Sequence, residues 1–192
     1  MNIGITGGIG SGKTVVSKVL ETMGYAVFNS DQEAKIIVNT DPVIVHGLKT
    51  LFGEEVYIDG LINKPMLADI IFSNDEVRVK VNDLIHPRVR EAYDDFSSIQ
   101  SSGLVFNEAA ILFETDAYKR FDKLILVTSP REIRIQRIRQ RDNCSKEEVE
   151  ARMSKQWSDE QKIPLADFII ENNENSPLLV QIEAVVNQLI SV

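Results

Sequence analysis

The feature that most constrains the fold is a glycine-rich motif directly after the first apolar segment of the chain. Asn2–Thr6 reads as a buried strand, and the next residues are Gly7-Gly8-Ile9-Gly10-Ser11-Gly12-Lys13-Thr14, which fit G-x-x-x-x-G-K-[ST]. Apolar residues then recur at helical spacing until Gly24 ends the pattern. The motif therefore predicts a strand, a loop whose backbone N–H groups converge on a phosphate, and a helix.

The motif also assigns roles to individual residues of this loop. Lys13 is expected to reach the β- and γ-phosphates of a nucleoside triphosphate, and the Thr14 hydroxyl to bind Mg²⁺. A glycine-rich turn that only joins two elements is the alternative, and the strand, the four glycines and the Lys-Thr pair together argue against it. The predicted nucleotide-binding residues of the loop are Gly8, Ile9, Gly10, Ser11, Gly12, Lys13, Thr14 and Val15.

Composition limits the other classes of function. The chain has 192 residues and a net charge of −8, and this acidity argues against general nucleic-acid binding. Its one cysteine, Cys144, excludes an internal disulfide and a cysteine-based zinc site. No apolar run approaches the ~20 residues of a membrane span, and the N-terminus enters a strand without a signal peptide. We expect a cytoplasmic protein without membrane association, as a monomer or weak homo-oligomer.

Strand and helix patterns alternate outside the middle of the chain. Further strands are predicted at 25–28, 104–107, 123–128 and 168–171, and helix starts are predicted at Ser129-Pro130, Ser145 and Ser176-Pro177. The middle is helical, with breaks at Asp41-Pro42, Asp59-Gly60, 73–75 and His86-Pro87. These patterns predict an α/β fold, the three-layer P-loop NTPase fold with a parallel central sheet, a helical acceptor-binding insertion and a helical lid. We predict a nucleotide-binding core at 1–30, 100–130 and 163–192, an acceptor domain at 31–99, and a lid at 131–162.

Two features favour phosphoryl transfer to a small acceptor. Asp31 follows the second strand, where a carboxylate can accept a hydroxyl proton, although it could also simply cap the next helix. In addition, Arg131, Arg134, Arg137 and Arg141 share one helical face and suit triphosphate oxygens, unless they form a solvated face paired with the acids of 147–150. The sequence argues against a GTPase switch, because no Asp is followed three residues later by Gly, and Asn63-Lys64-Pro65-Met66 lacks the Asp of N-K-x-D.

The ordered set of motifs resembles the dephospho-CoA kinase family over nearly the whole chain. Five motifs of the family have similar segments here in chain order. They are I-T-G-G-I-G-S-G-K-[ST] at 5–14, D-A-D at 29–31, D-G-x-[LI]-x-[RK] at 59–64, I-x-H-P at 84–87 and L-L-x-E at 110–114. Its Q-R, R and Q match Gln136-Arg137, Arg141 and Gln156, and its A-D-x-x-I-x-N matches 166–172. The resemblance implies transfer of the ATP γ-phosphate to the ribose 3′-hydroxyl of dephospho-CoA, with Mg²⁺. The alternative is another small-acceptor kinase of this fold, of the nucleoside monophosphate or shikimate type.

The resemblance also implies roles for single residues. Asp31 takes the catalytic base position, Arg137 acts in catalysis, and Arg137 and Arg141 contact ATP from the lid. Asn172 and Asn173 lie near the adenine, and Lys64 and His86 join Asp31 at the acceptor, although a structural turn is the alternative for His86. Glu108, at the end of an apolar strand, could hold Mg²⁺-bound water or orient acceptor groups, with a strand-end salt bridge as the alternative. Asn29 and Lys64 depart from the family's usual Asp and Arg.

Overall fold

The structure is a computed structural model that describes residues 1–101 and 103–191. The strands are β1 (Asn2–Thr6), β2 (Ala26–Asn29), β3 (Tyr57–Ile58), β4 (Leu61–Ile62), β5 (Val105–Glu108), β6 (Lys123–Thr128) and β7 (Phe168–Glu171). The helices are α1 (Lys13–Thr22), α2 (Ser30–Thr40), α3 (Pro42–Phe52), α4 (Lys64–Ser73), α5 (Asp75–Ser98), α6 (Arg131–Asp142), α7 (Lys146–Met153), α8 (Asp159–Lys162) and α9 (Leu178–Ile190). None of the helices within these residues is both long and apolar enough to cross a bilayer.

Contacts divide the chain into two compact units. The first comprises Met1–Asn29 and Ile99–Val192, and the second Ser30–Ser98. The sheet and helices α1 and α6–α9 belong to the first unit, and helices α2–α5 with the β3–β4 hairpin belong to the second.

A five-stranded parallel sheet forms the centre of the first unit, in the order β2-β5-β1-β6-β7. Its strands read as continuous apolar runs because both faces are covered, which is typical of parallel sheets. Helices α1 and α9 cover one face with a buried cluster that includes Ile5, Phe106 and Val127. Alternate residues Leu124 and Leu126 face the other side and pack with the segment after β5. The predicted α/β fold with a parallel central sheet is therefore confirmed.

The second unit is helical, as the sequence predicts for the middle of the chain. Helix α2 packs on α5, and the short hairpin is tied to α2 by a hydrogen bond from the Ile62 amide to Asn39 Oδ1 at 2.8 Å. Its turn residues Asp59 and Gly60 have φ of 51° and 79°, which explains the Asp-Gly pair there. Asp41 caps α3 through its carboxylate, and the same carboxylate pairs with Arg88 at 2.7 Å.

The predicted helix break at His86-Pro87 is wrong. Helix α5 continues through Pro87, although proline removes one backbone donor and disfavours the helical conformation before it. The helix nevertheless continues because Val81, Val89 and Tyr93, on both sides of the proline, are buried in the second unit. Tertiary packing of this kind overrides the local preference of a single residue.

The predicted cap of α6 is also wrong, although the helix is found where it was expected. The N-cap residue is Pro130 rather than Ser129. The Ser129 hydroxyl accepts a hydrogen bond from Arg137 Nη1 at 3.3 Å and is therefore directed at another partner. The Ser145 capping box of α7 is confirmed, with both of its reciprocal hydrogen bonds formed.

Candidate nucleotide-binding site

The loop between β1 and α1 has the backbone geometry that its glycines predict. Gly10 and Gly12 have φ of 80° and 96°, in the left-handed region that favours glycine. A side chain at Gly12 would also lie 1.9 Å from Asn172 Nδ2, so that position requires glycine for space as well. The loop leads directly into α1 at Lys13, whose first N–H groups form the positive end of a ten-residue helix.

Lys13 is held close to this loop. Its side chain is almost fully buried, and its Nζ donates to the Gly7 carbonyl at 2.9 Å. The ammonium group is thereby kept at the beginning of the loop. A buried cation close to the positive end of a helix is suited to binding a polyanion such as a phosphate chain.

The Thr14 hydroxyl belongs to a chain of hydrogen bonds with Glu108. Glu108 lies at the end of β5 and is 3% exposed. Its Oε1 accepts from Thr14 Oγ1 at 2.8 Å, and its Oε2 accepts from Asn29 Nδ2 at 3.0 Å. A hydroxyl and a carboxylate next to a phosphate loop are hard oxygen donors of the kind that Mg²⁺ prefers, so these residues fit that ion. Neither contact is the strand-end salt bridge considered for Glu108, because Thr14 and Asn29 are uncharged.

Arg137 lies against the carbonyl side of the loop. Its Nη1 is 3.4 Å from the Gly10 carbonyl and 3.5 Å from the Ser11 carbonyl, and its Nη2 contacts Asn172 at 3.4–3.5 Å. Asn172 Nδ2 also donates to the Ser11 carbonyl at 2.8 Å. The structure therefore brings Arg137, Asn172 and the loop together, as the sequence predicted for the nucleotide site.

Arg134 is a functional residue that the sequence predicted only as one member of the arginine stripe. It is only 7% exposed, and its Nε donates to the Ile9 carbonyl at 3.0 Å. Burial lowers the pKa of its guanidinium, although the charge of Asp159 opposes this shift. Its position in the arginine stripe with Arg137 was the available signal, but helical spacing alone could not separate a buried arginine from an exposed one.

Gln156 is the second side chain that binds Ile9. Its Oε1 accepts the Ile9 backbone N–H at 2.8 Å. Gln156 matches a family motif, but its contact with Ile9, 147 positions away in the chain, has no local sequence signal.

Two predicted nucleotide contacts have other partners in this structure. Arg141 makes a bidentate pair with its neighbour Asp142 at 2.7 and 3.0 Å, and this pairing raises the pKa of Arg141. Asn173 accepts from the Asn175 backbone through its side-chain oxygen at 2.9 Å. Val15, another predicted nucleotide contact, lies in the first turn of α1, and its side chain is 49% exposed.

Three predicted acceptor residues belong to the second unit. Asp31 lies in the first turn of α2, within the helix. Lys64 is exposed at the first position of α4, whose N-cap is Asn63. His86 is half-buried in α5, and burial lowers its pKa, with Arg90 contributing in the same direction and Asp83 opposing.

This chain is similar to known proteins by a family model, by sequence and by structure. The family model for dephospho-CoA kinase matches residues 1–177. A dephospho-CoA kinase from Bacteroides fragilis is 44% identical over 183 residues, covering 95% of this chain and 89% of that protein. The solved structure of TT1252 from Thermus thermophilus matches with a TM-score of 0.86 and 32% identity, over 100% of this chain and 96% of that one. Dephospho-CoA kinase from Campylobacter jejuni matches with a TM-score of 0.70 and 25% identity, over 98% and 96%.

Proposed function

The chain belongs to the dephospho-CoA kinase family, and we propose that it transfers the γ-phosphoryl group of ATP to the ribose 3′-hydroxyl of dephospho-CoA, giving coenzyme A. The observation that carries this proposal is the phosphate loop, with the Lys13 ammonium group held against Gly7 and the Thr14–Glu108 pair beside it, in a chain that matches the family over 177 residues.

The loop would hold the triphosphate of ATP. The amides of Gly8, Gly10 and Gly12–Thr14 would donate to phosphate oxygens, whereas the Ile9 N–H would stay bonded to Gln156. Lys13 would exchange its contact with Gly7 for the β- and γ-phosphates. Asn172 and Asn173 would lie near the adenine, and Arg137 and Arg141 would contact the nucleotide. Arg137 is supported by its position at the loop, whereas Arg141 would have to leave Asp142.

Thr14 and Glu108 would hold Mg²⁺, directly or through water. When bound, the ion neutralises charge on the β- and γ-phosphate oxygens. The Asn29 amide keeps one Glu108 oxygen oriented by a hydrogen bond at 3.0 Å. An aspartate at this position would instead place a second carboxylate against Glu108, which like-charge repulsion disfavours.

Asp31 would act as the base. As the 3′-oxygen attacks the γ-phosphorus, the bond from that phosphorus to the β–γ bridging oxygen breaks, and ADP leaves with the bonding electrons. The hydroxyl proton passes to the Asp31 carboxylate. The support for this role is its place in the chain, two residues after Asn29, at the carboxyl end of a parallel strand where acceptor sites occur.

The segment 31–99 would bind the acceptor, with Lys64 and His86 contributing. The segment 131–162 would act as a lid whose base stays fixed on the phosphate loop through Arg134 and Gln156. A closing lid excludes water, which otherwise competes as acceptor. We also propose that the protein works in the cytoplasm, as a monomer or weak homo-oligomer.

An ADP-release assay over a panel of acceptors tests this function. Turnover with dephospho-CoA that exceeds turnover with AMP, shikimate or no acceptor by at least about 100-fold supports it. Preference for AMP or shikimate would instead assign the chain to another small-acceptor kinase. Hydrolysis independent of any acceptor would indicate a nucleotide switch. Lys13→Ala is the matched control, because it removes the phosphate contact and should abolish activity in every case.

A further inference from the structure

The two backbone polar groups of Ile9 are both engaged by side chains from outside the loop. Its carbonyl accepts from Arg134 Nε at 3.0 Å, and its N–H donates to Gln156 Oε1 at 2.8 Å. Arg134 lies in α6, and Gln156 follows α7. The peptide groups on either side of Ile9 are therefore each fixed by a side chain that reaches in from more than 100 residues away in the chain.

Arg134 is itself fixed by an acidic partner and by the loop. Its Nη1 lies 3.3–3.4 Å from both carboxylate oxygens of Asp159, in the first turn of α8. The three atoms nearest to a methyl group placed on Gly8 all belong to the Arg134 guanidinium, the nearest at 1.9 Å. The guanidinium thus lies directly on the loop, and Gly8 leaves room for it.

The segment that carries Gln156 and Asp159 is anchored at a separate point. Glu114 Oε1 accepts the Trp157 backbone N–H at 2.8 Å and pairs with the fully buried Lys162 at 2.8 Å. Breaking a buried ion pair of this kind by removing one partner is costly, so the segment is held firmly. Its side chains can therefore hold the loop in one conformation.

We infer that Arg134, supported by Asp159, and Gln156 are positioning residues that fix the Ile9 peptides and keep the phosphate-binding loop in its binding conformation before nucleotide arrives. The inference rests on the proposed function in one respect, that this loop binds ATP. A loop already ordered loses less conformational entropy on binding, so this arrangement raises affinity without a contact to the ligand. Arg134 is assigned to the loop backbone and not to the transferred phosphate.

Variants of Arg134 test the inference through three measurements: hydrogen exchange of amides 7–14 in the nucleotide-free protein, the Kd for ATP, and the division of effects between KM and kcat. Arg134→Met should speed exchange in the loop and raise the Kd and KM for ATP by roughly 10- to 100-fold, the worth of a hydrogen bond to a charged group. Its kcat should stay within about threefold, because no contact to the reacting atoms is lost. Arg134→Lys should give loop exchange rates and a Kd for ATP between those of the wild type and of Arg134→Met, since an ammonium lacks the fork that reaches both Ile9 and Asp159.

Arg139→Gln is the matched control. It removes an exposed arginine from the same helix, one outside the arginine stripe, and it should leave loop exchange and the Kd for ATP unchanged. If Arg134→Met does not fold, Asp159→Asn keeps the arginine and should raise the Kd severalfold with faster loop exchange.

A double-mutant cycle adds a test of geometry. Gly8→Ala should weaken ATP binding strongly in the wild type and much less in an Arg134→Ala background, because the clashing guanidinium is then gone. Additive effects would overturn the inference, as would unchanged loop exchange in the Arg134 and Asp159 variants or a loss confined to kcat. A wild type that binds ATP but phosphorylates no dephospho-CoA would overturn only the proposed function.

Discussion

The proposed role of Asp31 as the catalytic base can be tested by changing this one side chain. We predict that Asp31→Asn retains ATP binding and lowers kcat by about 10²- to 10⁴-fold, the usual worth of a positioned base. Asparagine keeps the size of the side chain but cannot accept the hydroxyl proton. Steady-state turnover with dephospho-CoA, together with calorimetric ATP binding, measures both quantities. Glu33, in the same first turn of α2, provides a matched control as Glu33→Gln. Turnover near that of the wild type would reduce Asp31 to a residue of the helix start.

Arg137 tests whether geometry or charge matters at the loop. We predict that Arg137→Lys lowers kcat/KM for ATP by about tenfold or more, because an ammonium cannot span the loop carbonyls and Asn172 as the guanidinium does. The same substitution at exposed Arg139 should change kcat/KM by less than twofold. Equal values for the two variants would place the Arg137 side chain outside the nucleotide site.

The residues of the loop could be predicted from the sequence, and the residues that hold it could not. The spacing of Gly7, Gly12, Lys13 and Thr14 is fixed by phosphate geometry, so it is readable without a fold. Arg134 contacts Ile9 from 125 positions away, and such a contact depends on tertiary packing that no local pattern encodes. This is why the arginine stripe was recognised but its most buried member was not given a role of its own.

At the scale of elements, hydrophobic period and cap residues predicted most helices and strands. Strand β6 was expected at 123–128 and β7 at 168–171, and both are found with those bounds. The errors at Pro87 and at the predicted caps Ser129 and Ser176 arise where packing or a competing partner outweighs the local signal.

Helix α5 carries a prediction about pH. The folded protein holds the pKa of His86 below the usual 6.5, chiefly because of burial. The unfolded chain therefore binds the proton more readily, so the stability contribution is complete above about pH 6.5 and is lost as pH falls through the lowered pKa. Hydrogen exchange of α5 amides should be faster at pH 5.5 than at pH 7.5, after correction for intrinsic rates. His86→Gln should reduce that difference.

The second histidine supplies the control for this measurement. His46 lies exposed on α3 of the same unit, and His46→Gln should keep the pH dependence of the wild type. If His86→Gln retains the full pH difference, the acid sensitivity of α5 has an origin other than His86.

At the scale of the whole molecule, the order of motifs identified the family before any fold was known. Single motifs are generic, but the phosphate loop, the helical middle segment and the final strand occur here in one order over the length that the family model matches. The division of the chain after Asn29 and before Ile99 follows from how the helices of 30–98 bury their apolar faces on one another, which periodicity suggests but does not delimit.

The fate of the γ-phosphate of ATP tests the central claim most directly. With γ-labelled ATP and dephospho-CoA, we predict that the label appears in a phosphomonoester on the ribose 3′-oxygen, one per ADP formed, and that Lys13→Ala transfers none. Label recovered as inorganic phosphate, or on any other position of the acceptor, would contradict the account.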